Sequence, residues 1–139
     1  MSAREVAGAC ALAFLLVTAA CGSSDGDEAA IGTLAGQGPV RIASREHVAV
    51  EIEPTAPIKL GKNTVPVSFP AESGAELVSA SALMPAHGHG SPAPKIERAG
   101  DGAFVVRDLV LYMSGRWELR LGLRVEARED EAIVAVDVP

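Results

Sequence analysis

The stretch WELRLGLRVE, residues Trp117–Glu126, determines the fold class of this chain. Apolar side chains occupy every second position from Trp117 to Val125, and the positions between them are charged except for Gly122. A period of two places the apolar side chains on one face of a strand and the charged ones on the other. A charged outer face is typical of an antiparallel sheet with one face in water. The stretch therefore predicts a half-buried antiparallel strand.

The same period recurs along the rest of the chain. It appears in HVAVEIE (residues 47–53), TVPVSFP (64–70), AELVSASALM (75–84) and AIVAVDV (132–138). Segments rich in Pro and Gly separate these runs at intervals of roughly 8–12 residues, which is typical of a β-sandwich or barrel. We predict an all-β, immunoglobulin-like antiparallel β-sandwich of about seven strands.

The N-terminal segment predicts export. Arg4 precedes the apolar run VAGACALAFLLVTAAC, residues 6–21. This run is shorter than the about 20 residues that a membrane-spanning helix needs. A basic residue, a short apolar run and small residues at its end are typical of a secretory signal. We expect residues 1–20 to be a signal peptide.

The end of that run, VTAAC, resembles the lipobox of bacterial lipoproteins, with Thr18 where leucine is usual. The resemblance implies that Cys21 is acylated and anchors the chain to a membrane. Gly22 follows it where Asp would mark inner-membrane retention, so the resemblance favours the outer membrane of a host that has one. The alternative is an ordinary signal peptide cleaved nearby, which leaves Cys21 as a free thiol. In the lipoprotein interpretation Cys10 leaves with the signal, and the folded part has no disulfide.

Composition divides the remaining chain in two. Residues 21–38 are rich in Gly, Ser, Ala and acid, and we expect a flexible tether there. Residues 39–139 then form a single domain. The formal net charge is −6 at pH 7 and no basic cluster occurs, which disfavours nucleic acid as a partner. We expect a cell-envelope protein that faces the periplasm and touches the membrane through its lipid.

Two histidines and a methionine lie together in LMPAHGHGSPAP, residues 83–94. If the preceding alternation is unbroken, Met84 ends a strand on the same face as Val78 and the small residues after it. Pro85 then stops the hydrogen-bond ladder. His87 and His89 are two residues apart, so an extended backbone would point both imidazoles the same way. A second run, LVLYMSGRWELRL (residues 109–121), predicts another strand end that carries a methionine, followed by a tight turn at SGR.

These two stretches together resemble the YtkA-like domain, a small exported immunoglobulin-like module often found on lipoproteins. The family is related in pattern to a cytochrome oxidase assembly protein. The similarity covers roughly residues 57–125, and Ala86 stands where the family often has glycine. The matching positions are those of the family's Met-Pro-x-His-x-His-Gly loop, of a glycine before an aromatic strand, and of its Met-x-Gly-x-Trp motif: Met84, Pro85, His87, His89 and Gly90; Gly102 and Phe104; Met113, Gly115 and Trp117.

The side chains of Met84, His87, His89 and Met113 are the candidate metal ligands. Imidazole nitrogen and thioether sulfur suit soft copper(I), whereas zinc would want a third His or a carboxylate. The alternative is that the methionines fill the core, as they usually do at the ends of apolar faces, and that the Gly-His-Gly segment is a polar turn. We expect Trp117 in the core rather than over a metal. We expect the third histidine, His47, on the polar face of a strand at the surface.

Two classes of function remain open. One is a lipid-anchored module that handles copper during oxidase maturation, with an oxidase subunit or a metal transporter as its partner. The other is a metal-free immunoglobulin-like module that docks on an envelope partner through the His-Gly loop. An enzyme is not predicted, because the sequence contains no nucleophile elbow, HExxH motif or phosphate-binding glycine loop. Ser91, close to His89 in sequence, lacks an obvious orienting acid.

Overall fold

The structure is a computed structural model that describes residues 32–34 and 38–139. Within those residues the chain forms ten strands and one short 3-10 turn, Ala71–Ser73. None of the described residues belongs to a helix long and apolar enough to cross a membrane. The strands are β1 (Thr33–Leu34), β2 (Val40–Ala43), β3 (Ala49–Ile52), β4 (Gly61–Ser68), β5 (Ala75–Met84), β6 (His89–Gly90), β7 (Lys95–Gly100), β8 (Ala103–Leu111), β9 (Gly115–Val125) and β10 (Arg128–Val138).

The strands form two five-stranded sheets whose apolar faces pack on each other. The first sheet has the order β1-β10-β9-β5-β6 and the second the order β2-β3-β4-β8-β7. Every pair is antiparallel except β1 with β10. The predicted immunoglobulin-like β-sandwich is therefore confirmed. The strand count is ten rather than about seven because two-residue strands such as β1 and β6 are too short to show a period in the sequence.

The core lies between the sheets and follows the predicted alternation. Trp117 is 0% exposed, and the alternate residues after it on β9 are buried with it. The inward positions of β3 and β4 face them from the second sheet. The prediction that Trp117 is a core residue is confirmed. The predicted apolar faces supply the following buried side chains: Val50, Ile52, Val65, Val67, Phe69, Leu109, Leu111, Leu119, Leu121 and Leu123.

Strand β5 departs from the unbroken alternation predicted for it. Its register against β9 shifts between Leu77 and Ser79, which is a β-bulge. The extra residue turns Val78 outward, where it is 40% exposed, and leaves Leu77 buried. The expectation that Val78 shares a face with Met84 is therefore wrong. Beyond the bulge Ala80 and Met84 do share the buried face.

The N-terminal boundary of the sandwich lies before residue 39. Thr33 and Leu34, two residues of the predicted tether, pair in parallel with Ala135 and Val136 of β10. Leu34 is 1% exposed and belongs to the core. The predicted signal peptide (1–20), Cys21 and most of the tether lie outside the described residues. The described residues contain no cysteine, so no disulfide joins the sheets.

Candidate metal centre

The histidines lie on a tight hairpin between β5 and β6, here called the His hairpin (residues 84–90). The carbonyl of Met84 accepts the backbone N–H of His87 at 3.2 Å and that of Gly88 at 2.9 Å. Pro85 suits the start of such a turn because its ring presets φ and it has no N–H to satisfy. Gly88 has a φ of 65°, a left-handed conformation that glycine adopts without steric cost. The sequence MPAHGHG therefore closes a four-residue turn.

The turn brings the two imidazoles side by side. Their ring centroids are 6.1 Å apart and the ring planes differ by 17°. Contrary to the expectation from the sequence, the backbone between them is not extended, because Gly88 has a positive φ. With metal–nitrogen bonds of about 2 Å, two imidazoles on one ion have centroids roughly 5–6 Å apart. The observed separation is close to this range, but the rings are stacked, so their in-plane nitrogens converge on one ion only after the side chains rotate. Both histidines are solvent-exposed, which leaves them room to do so.

The donor set at the hairpin is limited to these two nitrogens and nearby sulfur. Among residues 32–34 and 38–139, no three His, Cys, Asp or Glu side chains cluster closely enough to hold a metal ion. A zinc site, or a site for a hard cation, would normally draw on such a cluster. The sulfur-bearing side chains at this end of the sandwich are those of Met84 and Met113.

Met84 lies in the core directly beneath the hairpin. It pairs with His89 across β5 and β6, and its side chain is only 2% exposed. Its Cε atom is 3.5 Å from the place where a side chain at Gly115 would begin. Gly115 itself is exposed and has a φ of 119°, which favours glycine. The thioether of Met84 therefore lies one layer below solvent, under a residue without a side chain, and its burial agrees with a core-filling role.

Met113 lies at the neighbouring strand end, in the crossover from β8 to β9. It is half-buried and packs against the core. Its carbonyl accepts the indole N–H of Trp117 at 3.0 Å. Trp117 therefore holds the backbone of Met113 from inside the core. The fold thus brings the ends of β5, β6 and β8 to one end of the sandwich.

Tyr112 belongs to the same end, although sequence reasoning did not select it. Its ring centroid is 6.3 Å from that of His89 and 5.2 Å from that of Trp117, edge-on in both cases. Its hydroxyl donates to the carbonyl of Gly90 at 3.3 Å, and the residue is 46% exposed. A signal was available in the sequence, since Tyr112 is the only tyrosine and directly precedes Met113.

Ser91 fastens the base of the hairpin to both sheets. Its backbone N–H donates to the carbonyl of Ala82 on β5 at 2.9 Å. Its hydroxyl donates to the carbonyl of Val110 on β8 at 2.5 Å. These two bonds give Ser91 a structural task. The third histidine, His47, is exposed as predicted but lies in the turn before β3 with a φ of 65°, not on a strand.

The fold is an immunoglobulin-like β-sandwich, and the His hairpin lies at one end of it. Comparison with known proteins gives no match to this chain, whether to a family model, to a curated protein or to a solved structure. The YtkA-like resemblance therefore stays a prediction that rests on the two motifs.

Proposed function

We propose that this chain is a lipid-anchored envelope protein whose YtkA-like domain binds copper at the His hairpin. His87 and His89 supply two nitrogens, and Met113 and Met84 supply thioether sulfur. The observation that supports the proposal is the proximity of two exposed imidazoles, whose centroids are 6.1 Å apart, so that rotation of the side chains brings a nitrogen of each ring to one ion. Copper(I) is favoured because it accepts soft sulfur ligands and does not require a carboxylate.

The position of the hairpin suits a protein that passes an ion on. The imidazoles stand at one end of the sandwich and are exposed, so a second protein can approach them. The lipid on Cys21 would hold the domain at the membrane, facing the periplasm and at the outer membrane where the host has one. An oxidase subunit under assembly or a metal transporter is the partner that fits this role, with copper as the cargo.

A second candidate is a metal-free interaction module that docks on an envelope partner through the His hairpin. The burial of Met84 favours it, because a core methionine needs no ligand to explain its presence. Under this alternative the exposed rings of His87, His89 and Tyr112 form the contact surface itself.

Copper titration of residues 22–139, which include every described residue, separates the two candidates. Cu(I) binding is measured by competition with a coloured chelator, and Cu(II) binding by quenching of Trp117, the only tryptophan. We expect one copper per chain and a loss of affinity of about 100-fold, or about 2.7 kcal/mol, in the His87→Ala/His89→Ala double variant. His47→Ala is the matched control and should bind like the wild type.

The methionines are tested with leucine, which nearly conserves volume in a core. Met113→Leu and Met84→Leu should each weaken Cu(I) binding more than Cu(II) binding, since only the softer ion gains from sulfur. Equal, weak binding by the wild type and the double variant would end the copper proposal and leave the interaction module.

A further inference from the structure

We infer that Tyr112 is the positioning residue of the His hairpin, which it clamps to the opposite sheet so that the His89 imidazole keeps one orientation. The inference deepens the proposed function and rests on it where copper affinity is concerned. The orientation of the imidazole in the metal-free protein is a separate, directly measurable part.

The His hairpin depends on further contacts, because Ser91 fastens only its base and little secondary structure holds the rest. Strand β6 has two residues and lies at the edge of its sheet, paired only through Leu83 with Gly90 and Met84 with His89. Short edge segments with exposed backbone bonds are the parts of a fold that open most readily. A pair of ligands on such a segment binds an ion well only when other contacts hold it in place.

Tyr112 supplies those contacts from the other sheet. It follows β8, which belongs to the second sheet, whereas β6 belongs to the first. Its hydroxyl reaches the Gly90 carbonyl, and its ring meets the His89 ring at an interplanar angle of 64°. One side chain therefore contacts both residues of β6, one through its backbone and the other through its ring.

The clamp is itself held in place by the core. The ring of Tyr112 lies edge-on to Trp117 with an interplanar angle of 82°. Trp117 is fully buried and donates to the Met113 carbonyl, so it cannot turn without disrupting the core. Edge-to-face arrangements of this kind are favourable and directional. Buried Trp117 thus fixes the orientation of the half-exposed Tyr112 ring, and Tyr112 in turn fixes that of the exposed His89 ring.

Two substitutions separate the hydroxyl from the ring. Tyr112→Phe removes the hydrogen bond to the Gly90 carbonyl and keeps the edge contacts with His89 and Trp117. Tyr112→Leu removes the hydrogen bond and both ring contacts. The first readout is the set of imidazole proton resonances in the metal-free protein. We expect Tyr112→Leu to broaden those of His89, because the imidazole then samples several orientations, with Tyr112→Phe close to the wild type. A shift without broadening would report only the lost ring current of Tyr112. His47, in a turn of the second sheet, is the internal control and should not move.

The second readout is Cu(I) affinity, with a control for general destabilisation. We expect Tyr112→Leu to weaken binding about tenfold and Tyr112→Phe by less than about threefold, so that the conservative variant rescues the site. Phe69→Leu removes a core ring at the opposite end of the sandwich. It should lower the melting temperature and leave copper affinity unchanged.

Each outcome decides a different point. Unchanged line widths of the His89 resonances in Tyr112→Leu overturn the inference, whatever the copper result. A loss of affinity as large in Phe69→Leu as in Tyr112→Leu also overturns it, since the effect would then be one of stability. Broadened His89 resonances in Tyr112→Leu, in a protein whose wild type binds no copper, support the clamp and refute the proposed copper function.

Discussion

Gly102→Ala should destabilise the sandwich far more than Gly74→Ala, although the two glycines have nearly the same backbone conformation. Their φ angles are 66° and 62°, both in the left-handed region. Placing alanine there costs about 1–2 kcal/mol at either position. Gly74→Ala carries no steric cost beyond this, because no atom lies within 4 Å of the place that the new Cβ would occupy.

Gly102→Ala carries an additional steric cost. A Cβ atom there would lie 2.6 Å from the carbonyl oxygen of Phe69 and 3.7 Å from the Cα of Ala71. These are backbone atoms, so the clash cannot be relieved by a side-chain rotation. Phe69 also donates its N–H to the Gly102 carbonyl at 2.7 Å, and separating the two segments would strain this bond. Overpacking costs about 1–3 kcal/mol and a lost hydrogen bond about 1 kcal/mol. We therefore expect Gly102→Ala to lose about 2–4 kcal/mol more than Gly74→Ala.

Urea unfolding measures the difference. Trp117 is buried in the folded state, so its fluorescence reports the global transition. A shift in the midpoint at constant slope reports stability alone. Equal losses in Gly102→Ala and Gly74→Ala would refute the steric reasoning, because only the conformational cost would then remain.

Two further predictions concern the second sheet. Asn63 is buried, and its side chain bonds to the N–H and C=O of Lys59 and to the C=O of Gly61, at 2.8–3.0 Å. Asn63→Ala should lower the free energy of unfolding by about 2–3 kcal/mol in chemical unfolding, because these backbone groups lose their partner. A loss below about 0.5 kcal/mol would contradict this. At Asp108, hydrogen bonds from Lys62 and then Lys95, together with their positive charges, lower the carboxyl pKa below its ordinary value. A carboxyl whose pKa is lower in the folded state stabilises the fold at pH values above its unfolded pKa of about 3.9. This stabilisation is lost as the pH falls through the folded-state pKa. The wild type should therefore be more stable than Asp108→Asn at pH 7 and lose that advantage below about pH 4, whereas an advantage that persists in acid would contradict the ion pairs.

The long strands were predictable from sequence because their two faces differ sharply in polarity. On β9 charged residues and Gly122 alternate with the apolar ones, so only one register buries the apolar set. The bulge in β5 was not predictable in this way. Leu77 and Val78 are both apolar, and small alanines and serines follow them, so the pattern does not mark where the buried face changes sides.

The candidate site was likewise only partly predictable from the sequence. Local spacing predicted that His87 and His89 lie together, although a turn rather than an extended backbone achieves it. The role of Tyr112 depends on a contact between the two sheets, which no local period encodes. The depth of Met84 likewise depends on how closely Gly115 approaches it across the sheet.

Ser91 bears on how fast an ion could be exchanged. Its bonds to Ala82 and Val110 tie the base of the His hairpin to both sheets, which leaves no hinge on that side for a lid-like movement. Enzymes and carriers that close over a ligand often release it only as fast as the lid opens. A hairpin fastened in this way would instead pass an ion by direct exchange of ligands with the next protein. On the copper proposal, the transfer rate would follow the ligand strength of the acceptor rather than a motion of this domain.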